Sequence, residues 1–466
     1  MADAQVAAIK ERVGALTAEL LSHDKWSRDQ LLEHQQQRLR SVIEFAVANS
    51  PFYKETLGPD AARVPLDELP TLSKPTLMAE WDRIVTASVL RLADVEAHIA
   101  GPDAAQPFAG RYRVFSTAGT TGVRGIFVYE MDEFLQIIAP VLRMFARWGL
   151  TPGSRVVGVG APNPLHLTKQ LFGDLQNGGS DVPELSVVTP VPDIVAALND
   201  FQPEVLLGYP THQALLAEQQ LAGNLNIAPR FVAAGSEVVG EDVVRRAAEA
   251  WGIRLCNVYA TTENCMIASS SSDEDALLVN DDMLLLEVVD EANRPVPPGE
   301  PGYKVLVTSL TNRAQPLIRY EISDSVTLAD GDHDGGRPYT RIGRVDGRSD
   351  DILHLLGPSG GEVAVHPYRM RAPFGHIPDV VQYQIVHHAG GLRARVVLRD
   401  SAPRSILERV QGALEGELAD AGVAPMQIEV EPVSRIEREG NGAKIKQVVS
   451  TIDRRAGAGS FLIESA

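Results

Sequence analysis

The sequence predicts an α/β protein: a large N-terminal domain with mixed or parallel sheets and flanking helices, followed by a small α+β domain. Three observations predict it. The 466 residues exceed what one hydrophobic core usually supports. From about residue 112, short β-branched runs alternate with helical stretches, the pattern of a parallel sheet. A segment rich in Asp and Gly, 330–337, then breaks that texture before a differently patterned C-terminal part.

Residues 3–22 and 30–49 read as helices. In the second, Leu32, Leu39, Val42, Ile43, Phe45 and Ala46 recur at roughly helical spacing, and Pro51 ends it. Residues 65–74 hold two prolines and read as a loop. Runs 111–115 and 126–129 are strand-like. Buried strands follow at 155–160, 205–208, 231–234 and 255–259, with helices at 211–221 and 240–251 between the later ones. After residue 280 come shorter strands and turns punctuated by Pro295, Pro297, Pro298 and Pro301. The predicted division is 1–346 and 347–466, the second part with strands at 380–386 and 392–398 and a helix at 403–421.

Composition excludes several classes. A formal net charge of −18 repels phosphate backbones and anionic lipid, so neither nucleic acid nor membrane is expected as the main partner. No run approaches the roughly 18 apolar residues of a membrane span, and the N-terminus lacks the pattern of a secretory signal. The two cysteines, Cys256 and Cys265, have no metal-ligand spacing and form no disulfide framework. Cys256 is expected in a buried strand and Cys265 in the turn after Glu263. The expected location is the cytoplasm.

Ligands of parallel α/β sheets sit beyond the carboxyl ends of the strands. Three polar or glycine-rich segments fall there: Gly208-Tyr209-Pro210, Gly235-Ser236-Glu237 and Ala260-Thr261-Thr262-Glu263. They suggest one shared site. Ser116-Thr117-Ala118-Gly119-Thr120-Thr121-Gly122-Val123-Arg124-Gly125 lies between two strand-like runs. Its glycines let backbone N–H groups close around an anion, and its hydroxyls add donors. It is not a Walker loop, and the bland alternative is a hairpin tip. In Tyr259-Ala260-Thr261-Thr262-Glu263, a tyrosine suits base stacking, a threonine phosphate contact and a glutamate Mg²⁺. The alternative there is a helix N-cap. Asp324, in Arg319-Tyr320-Glu321-Ile322-Ser323-Asp324, suits ribose hydroxyls, or else the segment is a surface strand of alternating charge. Arg348, in Gly347-Arg348-Ser349-Asp350-Asp351, offers a fixed fork of donors, or else lies in a polar turn. Asn441-Gly442-Ala443-Lys444-Ile445-Lys446 is either a catalytic lysine loop or a solvated basic turn.

In this order, these segments resemble the acyl-CoA synthetase superfamily of adenylate-forming enzymes, and within it the phenylacetate–CoA ligase-like branch. Further matches are Gln37-Arg38-Leu39-Arg40, Ser50-Pro51-Phe52-Tyr53-Lys54, Leu69-Pro70-Thr71-Leu72-Ser73-Lys74, Pro316-Leu317-Ile318-Arg319-Tyr320 and Tyr383-Gln384-Ile385-Val386. The resemblance covers nearly the whole chain. It implies the adenylate-forming fold with a mobile small domain, and ATP and Mg²⁺ as cofactors. The activity implied is activation of an acid as its AMP derivative, followed by transfer to a thiol, expected to be CoA. A carrier protein or an amine is the alternative acceptor, an inorganic acid such as nitrite the alternative substrate, and a catalytically inactive nucleotide-binding homologue the alternative role. A homodimer is also implied.

Residue by residue, the resemblance puts ATP phosphates at Ser116, Thr117, Gly119, Thr120, Thr121, Gly122 and Arg124. Gly235, Ser236 and Glu237 border adenine, and Tyr259 stacks on it beside Ala260 and Thr261. Thr262 meets the α-phosphate, Glu263 binds Mg²⁺, Asp324 grips the ribose and Arg348 contacts ribose and phosphate. Lys444 aligns with the catalytic lysine, with Lys446 as rival. The chain departs from the family pattern at Val123, where the loop lysine is missing and Arg124 is the candidate replacement, and at Ala260 and Ser323, which replace glycines. Tyr209, His212 and His166 are candidates to line the acid pocket.

Overall fold

In the computed structural model the described residues are 2–117, 124–151, 153–161, 167, 170, 183, 185–271, 274, 276–330, 336–399, 402–437 and 445–452. Two long helices open the chain, Ala2–His23 and Arg28–Asn49. Ser27 caps the second in a capping box with Gln30, whose backbone N–H donates to the Ser27 hydroxyl at 3.2 Å while its side-chain oxygen accepts from Ser27 N at 2.8 Å. Pro51 does end that helix, and it also begins another, Pro51–Thr56, because a proline in the first turn forfeits no helical hydrogen bond. The predicted loop at 65–74 holds one 3₁₀ turn, Leu66–Glu68, and delivers Ser73 as cap of the helix Lys74–Ala79.

Twenty strands follow among the described residues: β1 Tyr112–Ser116, β2 Ile126–Glu130, β3 Val156–Gly160, β4 Leu185–Ser186, β5 Val205–Gly208, β6 Phe231–Gly235, β7 Leu255–Thr261, β8 Cys265–Ser270, β9 Leu277–Val279, β10 Leu284–Val289, β11 Lys304–Ser309, β12 Tyr320–Ile322, β13 Asp324–Leu328, β14 Arg341–Arg348, β15 Leu353–Leu356, β16 Glu362–Val365, β17 Val380–His388, β18 Gly391–Leu398, β19 Ile428–Pro432 and β20 Val448–Ser450. β1 and β2 form an antiparallel hairpin. The main sheet has nine strands in the order β13-β14-β9-β8-β7-β6-β5-β3-β4. Its β4, β3, β5, β6 and β7 are parallel, with Leu207 opposite Ala233 and Ala234 opposite Asn257. These strands read as continuous apolar runs because helices cover them, including Pro210–Leu221 and Glu241–Trp251. From β7 onward the sheet turns antiparallel, through β8, β9, β14 and β13. A further sheet, β10-β11-β12, is antiparallel.

The largest apolar core draws on residues from Val13 to Ile342, and a separate one on residues from Leu353 to Val448. In the latter, β17 and β18 pair antiparallel, β19 and β20 flank them in parallel, and the helix Ser405–Asp420 buries Ile406, Val410, Leu414 and Leu418. The two regions touch through charge. Arg399 holds Glu218 bidentately, at 2.8 and 3.1 Å, and fully buried Arg246 donates to the carbonyls of Val380 and Val381. No helix among the described residues is long and apolar enough to cross a membrane.

One buried polar network ties the N-terminal helix to the sheet. Arg143, in the helix Met131–Arg147, is fully buried and clamps Asp282 bidentately at 2.6 and 2.9 Å. It also donates to Leu20 O and to the Tyr339 hydroxyl, while His23 Nδ1 lies 2.9 Å from the same Asp282 carboxylate.

Candidate active site

The site forms at the carboxyl ends of β5, β6 and β7. Gly235 ends β6 against the β7 backbone, where a Cβ would stand 2.6 Å from Val258 O, so a side chain there would part the strands. Ser236 follows with φ of +66°, a left-handed turn that redirects the chain. The turn presents Glu237, whose carboxylate accepts from Thr211 N at 3.1 Å, Thr211 Oγ1 at 2.8 Å and Ile445 N at 2.9 Å. Glu237 thus ties the helix after β5 to the residue immediately following Lys444. Tyr209 and His212 are both buried beside this turn.

Tyr259, Asp324 and Arg348 meet, although they come from three strands. Asp324 opens β13 directly opposite Arg348 at the end of β14. Its carboxylate accepts from the Tyr259 hydroxyl at 2.9 Å and from Arg348 Nε at 3.3 Å. Burial, and next the Asp324 charge, push the Tyr259 phenol well above its ordinary range. Burial works against the Arg348 charge, but the carboxylates of Asp324, Asp350 and Asp351 hold its pKa above the usual arginine value. Ser323 bonds Asp350 through its hydroxyl at 2.9 Å and receives Ser349 N at its carbonyl, so the serine here fastens the turn that carries Arg348. The preceding segment is not a surface strand: Arg319 is buried and grips Glu287 bidentately at 2.9 and 3.1 Å.

Residues 261–265 form a β-hairpin turn and not a helix N-cap. Thr261 pairs across with Cys265, leaving Thr262, Glu263 and Asn264 at the tip. Cys265 is therefore the first residue of β8, buried, with φ of +51°. Ala260 keeps a negative φ at a bulge in β7, so the strand accepts a side chain there. Glu263 is buried, and its backbone carbonyl accepts from the Tyr129 hydroxyl. Its carboxylate lies 3.7 Å from Lys74 Nζ, an ion pair beyond hydrogen-bond length. The ammonium already offsets part of that carboxylate's charge, so a metal ion bound there would share Glu263 with Lys74. Among the described residues no three His, Cys, Asp or Glu side chains group as a metal cage. Tyr129 and Lys74 are neighbours of Glu263 that carry no site signal of their own in the sequence. Nothing in their local spacing marks them, since their partners lie more than a hundred residues away.

Between β1 and β2 the base of the glycine-rich loop is closed by Thr117 N to Gly125 O at 3.0 Å and Gly125 N to Thr117 Oγ1 at 2.9 Å. Arg124 Nη2 donates to buried Ser116 Oγ at 2.9 Å, placing a guanidinium at that base. Gly119, Thr120, Thr121 and Gly122 lie outside the described residues, as do Val123, His166 and Lys444. The rival Lys446 is held by Asp351, with Nζ 2.6 Å from its carboxylate.

The protein family described as "AMP-binding enzyme" matches residues 115–309. A phenylacetate–coenzyme A ligase of Thermus thermophilus is 27% identical over 415 residues, covering 84% of this chain and 86% of the relative. A phenylacetate–coenzyme A ligase of Escherichia coli is 25% identical over 406 residues, covering 81% and 84%. Among solved structures, a 2-hydroxyisobutyryl-CoA ligase in the postadenylation state superposes with a TM-score of 0.71 at 20% identity, covering 91% of this chain and 89% of that one, so the fold is shared. Residues 115–309 thus match the AMP-binding enzymes, and over more than four fifths of its length the chain is similar to phenylacetate–coenzyme A ligases.

Proposed function

We propose that this protein uses ATP and Mg²⁺ to convert a carboxylic acid to its acyl-AMP and then passes the acyl group to coenzyme A. The observation that carries this reading is the convergence of Tyr259, Asp324 and Arg348 beside the Glu263 turn, with the residue after Lys444 anchored to Glu237. The names of the relatives support CoA as the acceptor.

In this reading Asp324 accepts the ribose hydroxyls, and Tyr259, whose ring is fixed by its bond to Asp324, offers a face to adenine. Gly235, Ser236 and Glu237 shape the adenine side. Arg348 serves ribose and phosphate. Ser116, Thr117, Gly119, Thr120, Thr121, Gly122 and Arg124 hold the outer phosphates, with Arg124 standing in for the absent loop lysine. Thr262 meets the α-phosphate. Glu263 holds Mg²⁺, which when bound offsets the charge of the phosphate oxygens. A carboxylate oxygen of the acid attacks the α-phosphorus, the bond to pyrophosphate breaks, and pyrophosphate leaves with its electron pair. The CoA sulfur, having lost its proton to solvent, then attacks the acyl carbonyl and AMP departs. The protein contributes positioning and electrostatics, with Lys444 supplying positive charge as the first step proceeds. Division into 1–346 and 347–466, with the smaller part moving between steps, fits the separate apolar core after Leu353 and its polar seam to the rest.

The experiment is pyrophosphate release over a panel of aromatic and aliphatic acids and nitrite, followed by AMP release with and without CoA. The reading expects release with one class of carboxylic acid and CoA-dependent AMP turnover. Turnover driven by an amine or a carrier-protein thiol, with CoA inert, would overturn the acceptor. Release with no acid at all would overturn the activity. Within this reading, Asp324→Ala removes a charged acceptor and raises the KM for ATP about 10- to 100-fold. Tyr259→Phe keeps the ring and loses one hydrogen bond, for a rise of less than about tenfold. Steady-state kinetics with varied ATP check both.

A further inference from the structure

Arg38 belongs to a stretch that no part of the active site uses. It lines a cavity of about 260 Å³ with Ser41, Glu133, Gln136, Thr311 and Arg313, between the helices Arg28–Asn49 and Met131–Arg147 and the segment after β11. Arg38 Nε is buried without a hydrogen-bond partner, and Arg38 forms no ion pair among the described residues. Arg313 stacks over Phe45 at 5.0 Å and gives one nitrogen to Ser41 Oγ at 2.9 Å. Burial, and then the like charge of Arg313, push Arg38 below the usual arginine range, against the pull of Glu19 and Asp282.

The one acid in the lining does not fill that need. Glu133 spends its carboxylate on backbone donors: Glu130 N at 2.9 Å, Arg313 N at 2.7 Å and Ala314 N at 3.1 Å. The guanidiniums of Arg38 and Arg313, with the Ser41 and Thr311 hydroxyls and the Gln136 amide, line a space large enough for a small oxyanion. Guanidinium forks match phosphate oxygens bidentately. The cavity lies near the end of β2 remote from the glycine-rich loop. Its segment is fastened to β2 by Asn312 Nδ2 to Val128 O at 3.1 Å and Val128 N to Gln315 Oε1 at 3.0 Å.

We infer that this cavity is a second anion site, distinct from the nucleotide site, that binds inorganic phosphate or the phosphate monoester of a small molecule between Arg38 and Arg313. The inference does not depend on the function proposed above.

The test is titration of the full chain with inorganic phosphate, at constant ionic strength set by chloride, followed by calorimetry and by thermal melting. Wild type is compared with Arg38→Gln, with Gln136→Glu, which adds a negative charge to the lining and serves if the arginine variant fails to fold, and with Arg124→Gln at the glycine-rich loop. A parallel series uses glycerol 3-phosphate for the ester and succinate for carboxylates. The expected result is saturable phosphate binding that weakens at least about tenfold in Arg38→Gln and Gln136→Glu and persists in Arg124→Gln. Tighter glycerol 3-phosphate binding identifies the ester as the ligand class. Any of three results would overturn the inference: no saturable binding, binding lost in Arg124→Gln but kept in Arg38→Gln, or succinate binding as tightly as phosphate.

Discussion

Replacing Lys444 with alanine lowers acid-dependent pyrophosphate release by about 10²- to 10³-fold, whereas Lys446→Ala lowers it by less than about fivefold. The two lysines are separated by one residue, and of the two Lys446 alone lies among the described residues. Lys446 is committed to Asp351 at 2.6 Å, in the turn that carries Arg348. Burial raises the pKa of Asp351 against the pull of that ammonium, so losing the lysine can be met by protonation of the acid. The pair is also partly solvated, which limits what it contributes. Lys444 is one peptide bond from Ile445, whose N–H is fixed on Glu237 at the strand ends. A fixed charge near the α-phosphate acts on the transition state and not on substrate binding, so the loss falls on kcat with KM for ATP little changed. Single-turnover pyrophosphate release in both variants is the check. Equal losses in the two would contradict the assignment.

Arg143→Ala costs about 3–5 kcal/mol of stability at neutral pH, because it strands a buried carboxylate. Arg143 and Asp282 are both without solvent exposure at their side chains. Burial alone would raise the Asp282 pKa, but the Arg143 charge, with His23, drives it far below the ordinary aspartate value. A depressed folded-state pKa contributes stability that is present above the unfolded value and lost as pH falls through the folded one. In the variant the sign reverses. Burial now dominates, the folded pKa rises above the unfolded value, and destabilisation grows as pH increases beyond it. The gap between wild type and variant in urea denaturation therefore narrows as pH is lowered from about 7 toward about 4. A gap independent of pH would mean that the loss is one of packing.

The first two helices and the parallel strands β3, β5, β6 and β7 were legible because their signals are local: helical spacing, or apolar runs bounded by turns. The antiparallel extension through β8, β9, β14 and β13 was not, since its pairings join distant segments. Residues 261–263 show the ambiguity at its sharpest. Two threonines before a glutamate suit a helix cap as well as a hairpin tip, and the pairing of Thr261 with Cys265 decides it. Arg319-Tyr320-Glu321 alternates charged and apolar residues as a surface strand would, yet Glu287 takes up the arginine charge and permits its burial. The meeting of Tyr259, Asp324 and Arg348 was accessible only through family resemblance. Lys74 beside Glu263 and the Arg38 cavity needed coordinates, because no spacing along the chain encodes a contact between distant elements.

The most direct test of acyl-AMP formation uses the acid that supports pyrophosphate release, labelled with ¹⁸O in both carboxylate oxygens and turned over with ATP and CoA. Attack by the carboxylate on the α-phosphorus leaves one labelled oxygen on phosphorus when CoA displaces AMP. The account predicts one ¹⁸O in each AMP formed, with unlabelled pyrophosphate, by mass spectrometry. Label in orthophosphate with ADP as co-product, or AMP free of label, would contradict it.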